Sequence, residues 1–284
     1  MAEVKITTDL FIRYLLGSDK NRPLLRSFIN AVLEDSGYPP VCDVKVKNPY
    51  NLSEHQLLKE TILDVKATDN KGRIYDIEVQ VHDDSHYTNR SLYYWAKNYV
   101  DQLPVAGLYD TLQPVICINI LNFTLIEAID DIHSCFIIRE QNHSELALSD
   151  HFQLHFIEIN KFENSTQSIQ KGLFEWLVYL KYGADKGEFM KYAITDDNIL
   201  KAREEYDHFV ADPVQKEMYD AHMKWVNDYN SGIHDSLQKG RAEGLAEGEA
   251  KAKLETARNM KKLGASVEFI IQATGLSEAE VLGL

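Results

Sequence analysis

The chain has 284 residues, 44% of them hydrophobic, and a net charge of −14. That length and apolar share exclude a disordered protein and allow one large domain or two smaller ones. The acidic balance excludes nucleic-acid binding through the whole surface, so such contact needs a local basic patch and cations at an acidic site. No run of about 18 apolar residues suggests a membrane helix. The start MAEVKITTDLFIRYLLG lacks the basic end and long apolar stretch of a signal peptide. Cys42, Cys117 and Cys135 have no metal-ligand spacing. Together these features predict a cytoplasmic protein with three buried thiols.

From about Thr8 to Leu33 apolar residues recur three and four apart, and Gly17, Ser18 and Asp19 divide the stretch into two helices. Thr8 or Asp9 is placed to cap the first helix. Asp9 has a second possible role, as a carboxylate reaching a cation site. Pro39 and Pro40 end the helical section, and VCDVKVKNPY predicts a short first strand.

The stretch Ile62 to His82, ILDVKATDNKGRIYDIEVQVH, predicts two strands joined by a turn at Asp69, Asn70, Lys71 and Gly72. Asp64, Lys66, Asp76, Glu78 and Gln80 fall at alternate positions and so on one face. Pairing about the turn sets Asp64 near Glu78 and Lys66 near Asp76. Like charges opposite each other destabilise a sheet, whereas a divalent cation between the carboxylates would offset the repulsion.

HYTNRSLYYWAKNYVDQL predicts a helix ending before Pro104, with Tyr87, Arg90, Tyr94 and Lys97 on one side. PVICINILNF has the continuous apolar character of a strand buried on both faces. HSCFIIRE and HFQLHFIEI extend the sheet, and helices follow from about Thr166. Beyond about residue 235 the composition shifts to Ala, Glu, Lys and Arg, with glycines at 240, 244 and 248 that suggest a linker or a close helix contact. Ser266 and Ser277 read as caps of two final short helices, the second with a capping box to Glu280. Such a pair is either a packing module or a DNA-reading helix-turn-helix.

Asn48-Pro49, then LDVKATDNKGRIYDIEVQ, then Tyr87, Arg90, Tyr93 and Tyr94, then QLPVAGLYDTLQPVICINIL, resemble in order the motifs of the PD-(D/E)XK nuclease family transposases, also described as recombination-promoting nucleases. The resemblance implies an α/β (α+β) fold: a restriction-endonuclease-like core with a mixed central β-sheet flanked by helices, and a helical C-terminal extension. It sets a nuclease-like domain over 1–234, with its core about 8–165 and covering helices about 166–234. Residues 235–284 form a tail for homo-oligomerisation or a helix-turn-helix.

The implied activity is Mg²⁺- or Mn²⁺-dependent endonucleolytic cleavage of DNA linked to recombination, transposition or mobile elements. Asp64, Glu78 and the backbone carbonyl of Val79 would hold the metal, with Asp9 as a further ligand. Gln80 stands where the wider superfamily has a lysine, and Lys66 is the candidate for the missing charge, the alternative being a solvated ion pair with Asp76. Arg90, Tyr94 and Lys97, at i, i+4 and i+7, would contact DNA phosphate or else simply pack the helix. His82 and His86 are read as non-ligands, since an oxygen-rich site favours Mg²⁺ or Mn²⁺. The rival from another class is a catalytically inactive nuclease-like module that binds DNA or protein. No membrane partner is expected.

Overall fold

A computed structural model of the chain describes residues 4–47, 65–81 and 85–284. Asn48, Pro49, Asp64 and His82 lie outside the described residues. The chain divides into two compact units, Met1–Tyr219 and Asp220–Leu284.

In the first unit, helices α1 (Asp9–Leu16) and α2 (Arg22–Asp35) precede strands β1 (Val44–Val46), β2 (Val65–Asp69) and β3 (Ile74–Gln80). Helix α3 (Tyr87–Val100) then leads to β4 (Val115–Leu121), β5 (His133–Phe136) and β6 (Phe152–Glu158). The strands form one mixed sheet in the order β1-β2-β3-β4-β6-β5. β3, β4 and β6 run parallel at its centre, while β1, β2 and β5 join antiparallel. Parallel β3 and β4 require a crossover, and α3 supplies it.

Every residue of β4 is buried, as a continuous apolar strand between two helical layers should be. Alternation along the strands sends Val115, Cys117 and Leu121 to the α3 side. There they pack with Tyr87, Trp95, Tyr99, Leu154 and Phe156. Ile116, Ile118 and Ile120 point to the other side. α1 packs on β3 and α2 on β1 there, and α4 (Lys171–Tyr182) and α6 (Asp197–Ala211) pack on α2. Trp176 of α4 is fully buried, edge-on to Phe28 at 5.3 Å, and donates its indole N–H to Ser27 Oγ at 3.0 Å. The short α5 (Lys186–Phe189) is capped by Asp185.

The turn between β2 and β3 is built by Asp69. Its Oδ1 accepts the backbone N–H groups of Lys71 and Arg73, and its Oδ2 lies 2.6 Å from Arg73 Nε. Of the turn residues, Gly72 alone takes a left-handed φ, at 86°. Asn70 therefore does not share the role that its residue type suggested, because the Asp69 side chain closes the turn around one glycine.

Two further expectations are corrected. Cys42 is exposed and Cys135 only partly covered, leaving Cys117 as the buried thiol; Cys42 sits in the connection between α2 and β1, outside any layer. Thr8 occupies the N-cap position of α1 without a side-chain capping bond, since its Oγ1 donates to Lys5 O. Asp9 Oδ1 instead accepts the N–H of Leu10 at 2.8 Å.

Helix α7 (Pro213–Lys262) begins in the first unit and supplies the long element of the second. The expected boundary at 234/235 falls inside it. Gly240, Gly244 and Gly248 sit within this continuous helix, and a Cβ at any of them would meet nothing within 4 Å. Among the described residues they make no close helix contact, and they do not interrupt the helix as a linker would. α8 (Val267–Thr274) and α9 (Glu278–Leu282) are capped by Ser266 and Ser277, the latter with the capping box to Glu280. Ile270, Leu276 and Val281 pack with Ala257, so this pair closes a small core with α7. A second helix of five residues with Glu278 and Glu280 in its first turn suits packing better than entry into a DNA groove.

Candidate functional site

The alternation of β2 and β3 delivers their polar residues to the side of the sheet that faces α3. The hairpin register sets Lys66 directly opposite Asp76. The parallel register with β4 sets Asp76 beside Cys117, Glu78 beside Asn119, and Gln80 beside Leu121. Lys66, Asp76, Glu78 and Gln80 therefore share one face, with Lys66, Glu78 and Gln80 half-buried and Asp76 only 1% exposed.

Asp76 lies buried opposite Lys66, so the alternative of a fully solvated pair between them does not describe its surroundings. The carboxylate accepts a hydrogen bond from the side-chain amide of Asn98 on α3. A buried charge is tolerated when hydrogen-bonded and close to an opposite charge. The electrostatic reach of the cluster is visible at Cys117. Its thiol is pushed well above the usual range by burial first and then by the charges of Asp76 and Glu78, with Lys66 opposing them.

Helix α3 walls this face. Tyr87 is buried and donates its hydroxyl to Asn119 Oδ1 at 2.9 Å, and Asn119 Nδ2 donates to the carbonyl of His155 at 3.0 Å. The Tyr87 phenol is pushed upward by burial, then by the negative charge of Glu78, while Arg90 pulls it down. One turn on, the Arg90 guanidinium donates to Gln80 Oε1 at 2.7 Å and lies 4.8 Å from the centre of the Tyr87 ring. Tyr94 is half-buried and Lys97 exposed on the same helix. His86 sits at its N-cap position.

The backbone of β3 sorts its own polar groups. Ile74 N–H bonds to Pro114 O and Gln80 O accepts from Asn122 N–H, so the even-numbered residues bond toward β4. The carbonyl of Val79, of opposite parity, is turned toward the β2 side. Asn122 also donates to Thr7 Oγ1 at 2.7 Å, which sets the N-terminus of α1, and Asp9 with it, at the end of the sheet where Gln80 lies.

Among the described residues, no group of three or more His, Cys, Asp or Glu side chains is arranged to hold a metal ion, and Asp64 lies outside those residues. The oxygen donors there are nonetheless chemically suited to a hard divalent cation: carboxylates from Glu78 and Asp76 and a backbone carbonyl. Asn98 and Asn119 are the members of this neighbourhood whose part was not recognised in the sequence. Asn119 carried a signal, because a lone amide in the run VICINIL must find buried partners.

No helix among the described residues is long and apolar enough to cross a membrane. A family model described as PD-(D/E)XK nuclease family transposase matches residues 6–236. Comparison with curated proteins and with solved structures gave no match.

Proposed function

The chain belongs to the PD-(D/E)XK nuclease family transposases, and on that premise we propose that the α3-facing side of the β2–β3 hairpin is the active site of a cytoplasmic Mg²⁺-dependent DNA endonuclease. It hydrolyses phosphodiester bonds in recombination, transposition or mobile-element movement. The observation that carries this reading is the grouping of Asp76, Glu78, Lys66 and Gln80 on one face beside an otherwise apolar β4. Such a grouping is costly for the sheet and finds its use in binding a cation and a phosphate.

Glu78, Asp64 and the Val79 carbonyl are the candidate metal ligands, with Asp9 able to join from α1. When bound, Mg²⁺ supplies polarisation of the phosphoryl oxygen and a more acidic coordinated water. The remaining work belongs to side chains. Lys66 offsets the carboxylate charge, Asp76 is held by Asn98 against α3, and Arg90, Tyr94 and Lys97 offer a helix face to the DNA backbone. These local cations meet a polyanion that the net charge of −14 would otherwise repel.

The test is nicking of supercoiled plasmid with Mg²⁺ by the wild type, Glu78→Ala and Asp64→Ala. The wild type is expected to cut and each variant to lose at least ~100-fold, as for removal of a group that stabilises transition-state charge. Equal cutting by all three would sink the assignment. The net charge favours a second reading, a silent module that binds DNA or protein; it would neither cut nor take up metal.

The tail is proposed to pair with a second copy of itself. Trp225, Tyr229, Ile233 and Leu237 form an exposed apolar ridge at spacing four on α7, the kind of patch that marks an interaction surface. Light scattering of the full chain and of a chain ending at residue 219 should show a larger oligomer for the first; unchanged stoichiometry would remove the tail from assembly.

A further inference from the structure

We propose that Arg90 provides the positive charge that a lysine at position 80 would provide, and that Gln80 is the positioning residue that holds it there. The inference rests on the nuclease reading above and adds to it the division of labour between strand and helix.

Gln80 carries no charge, yet its amide can orient a partner. Its Oε1 accepts from the Arg90 guanidinium at 2.7 Å, a bond that fixes which end of the amide faces the helix, since guanidinium only donates. The same guanidinium rests over the Tyr87 ring at 4.8 Å. Tyr87 is itself immobilised, being 1% exposed and bonded through its hydroxyl to Asn119. Arg90 is thus held from two directions by groups on β3 and on its own helix.

Its position relative to the acidic cluster follows from Tyr87, whose hydroxyl senses the charges of both Glu78 and Arg90. Gln80 lies two residues past Glu78 on the same face of β3, so its bond to Arg90 brings the guanidinium beside the acidic cluster. Lys66 stands on β2, directly opposite Asp76. A guanidinium is planar, permanently charged and matched to two phosphate oxygens at once. In this role Arg90 donates hydrogen bonds to non-bridging oxygens of the scissile phosphate as charge grows there. No bond to Arg90 forms or breaks, and it transfers no proton.

Single-turnover cleavage of a fluorescent duplex by the wild type, Arg90→Ala, Arg90→Lys, Gln80→Leu and the double variant Gln80→Lys/Arg90→Ala separates the roles. Arg90→Ala is expected to lower kcat ~100-fold with a much smaller change in KM. Gln80→Leu, which frees Arg90, should lose about 10-fold. The double variant, with an ammonium restored on β3, should recover at least 10-fold over Arg90→Ala, and a merely structural role predicts no such rescue.

Anisotropy of the duplex in metal-free buffer should show a smaller loss of affinity for Arg90→Ala than its loss in kcat, as expected for an interaction strengthened in the transition state. Wild-type cutting by Arg90→Ala, or a double variant no faster than Arg90→Ala, overturns the proposal. If Arg90→Ala fails to melt cooperatively, Arg90→Lys decides. A loss of about 10-fold with unchanged melting supports the role, and full activity refutes it. Absence of Mg²⁺-dependent cutting by the wild type overturns the nuclease reading and this role together, whereas equal cutting by wild type and Arg90→Ala overturns this role alone.

Discussion

On the side of the sheet turned toward α2, the buried polar groups are closed into a chain. Asp35 Oδ2 lies 2.6 Å from His133 Nδ1, His133 Nε2 lies 3.0 Å from His155 Nδ1, and His155 Nε2 lies 3.3 Å from Gln153 Oε1. His155 is fully buried, and burial first and the neighbouring His133 second hold its pKa well below the ordinary range, so the ring is neutral. On the side turned toward α3, carboxylates, a lysine and an arginine crowd around half-buried positions. One sheet thus carries two polar clusters, on opposite sides and on different strands. Those facing α2 form a neutral-ring relay around His155, whereas those facing α3 gather carboxylates and cations beside one helix.

The contrast breaks most visibly if core substitutions and site substitutions have the same consequences. Trp176→Ala, on the α2 side, is expected to cost about 3–5 kcal/mol by removing a fully buried ring, measured by urea unfolding. Glu78→Ala should leave the unfolding midpoint within roughly 0.5 kcal/mol of wild type, as for a position outside the core, while abolishing cutting. A Glu78→Ala chain as destabilised as Trp176→Ala would make the acidic face a structural feature.

A smaller effect sharpens the histidine side. Because the folded pKa of His155 is below the unfolded value of about 6.5, the unfolded chain binds the extra proton as pH falls. Its contribution to stability is complete above about pH 6.5 and is lost progressively below, by at most ~1.4 kcal/mol per pH unit for one proton. Asp35, His133, Cys135 and Gln153 are the groups facing it. Unfolding free energies between pH 7.5 and 5.5 should therefore fall more steeply for wild type than for His155→Gln. Parallel curves would mean that the ring does not stay neutral.

The fold was legible wherever one period dominated. Alternation in VKATD and IYDIEVQ set both strands and the pairing of Lys66 with Asp76, and unbroken apolarity marked β4 as the buried centre. The capping serines marked the last two helices. What escaped were contacts that depend on chain-distant partners. Asn98 reaches Asp76 across 22 residues and Tyr87 reaches Asn119 across 32, and no local pattern encodes either. The Gln80–Arg90 bond was hidden for the same reason, although both residues had been singled out separately. The tail glycines misled because their helix weakness is a local cost, outweighed here by fifty residues of continuous helix.

The central claim is that the α3 face of the hairpin is a divalent-cation site of a nuclease. Calorimetric titration of Mn²⁺ into the wild type and Glu78→Ala, in the presence of an uncleavable DNA duplex, tests it most directly. Saturable uptake by the wild type that disappears in Glu78→Ala is the predicted result. No uptake by the wild type, or equal uptake by both chains, would contradict it.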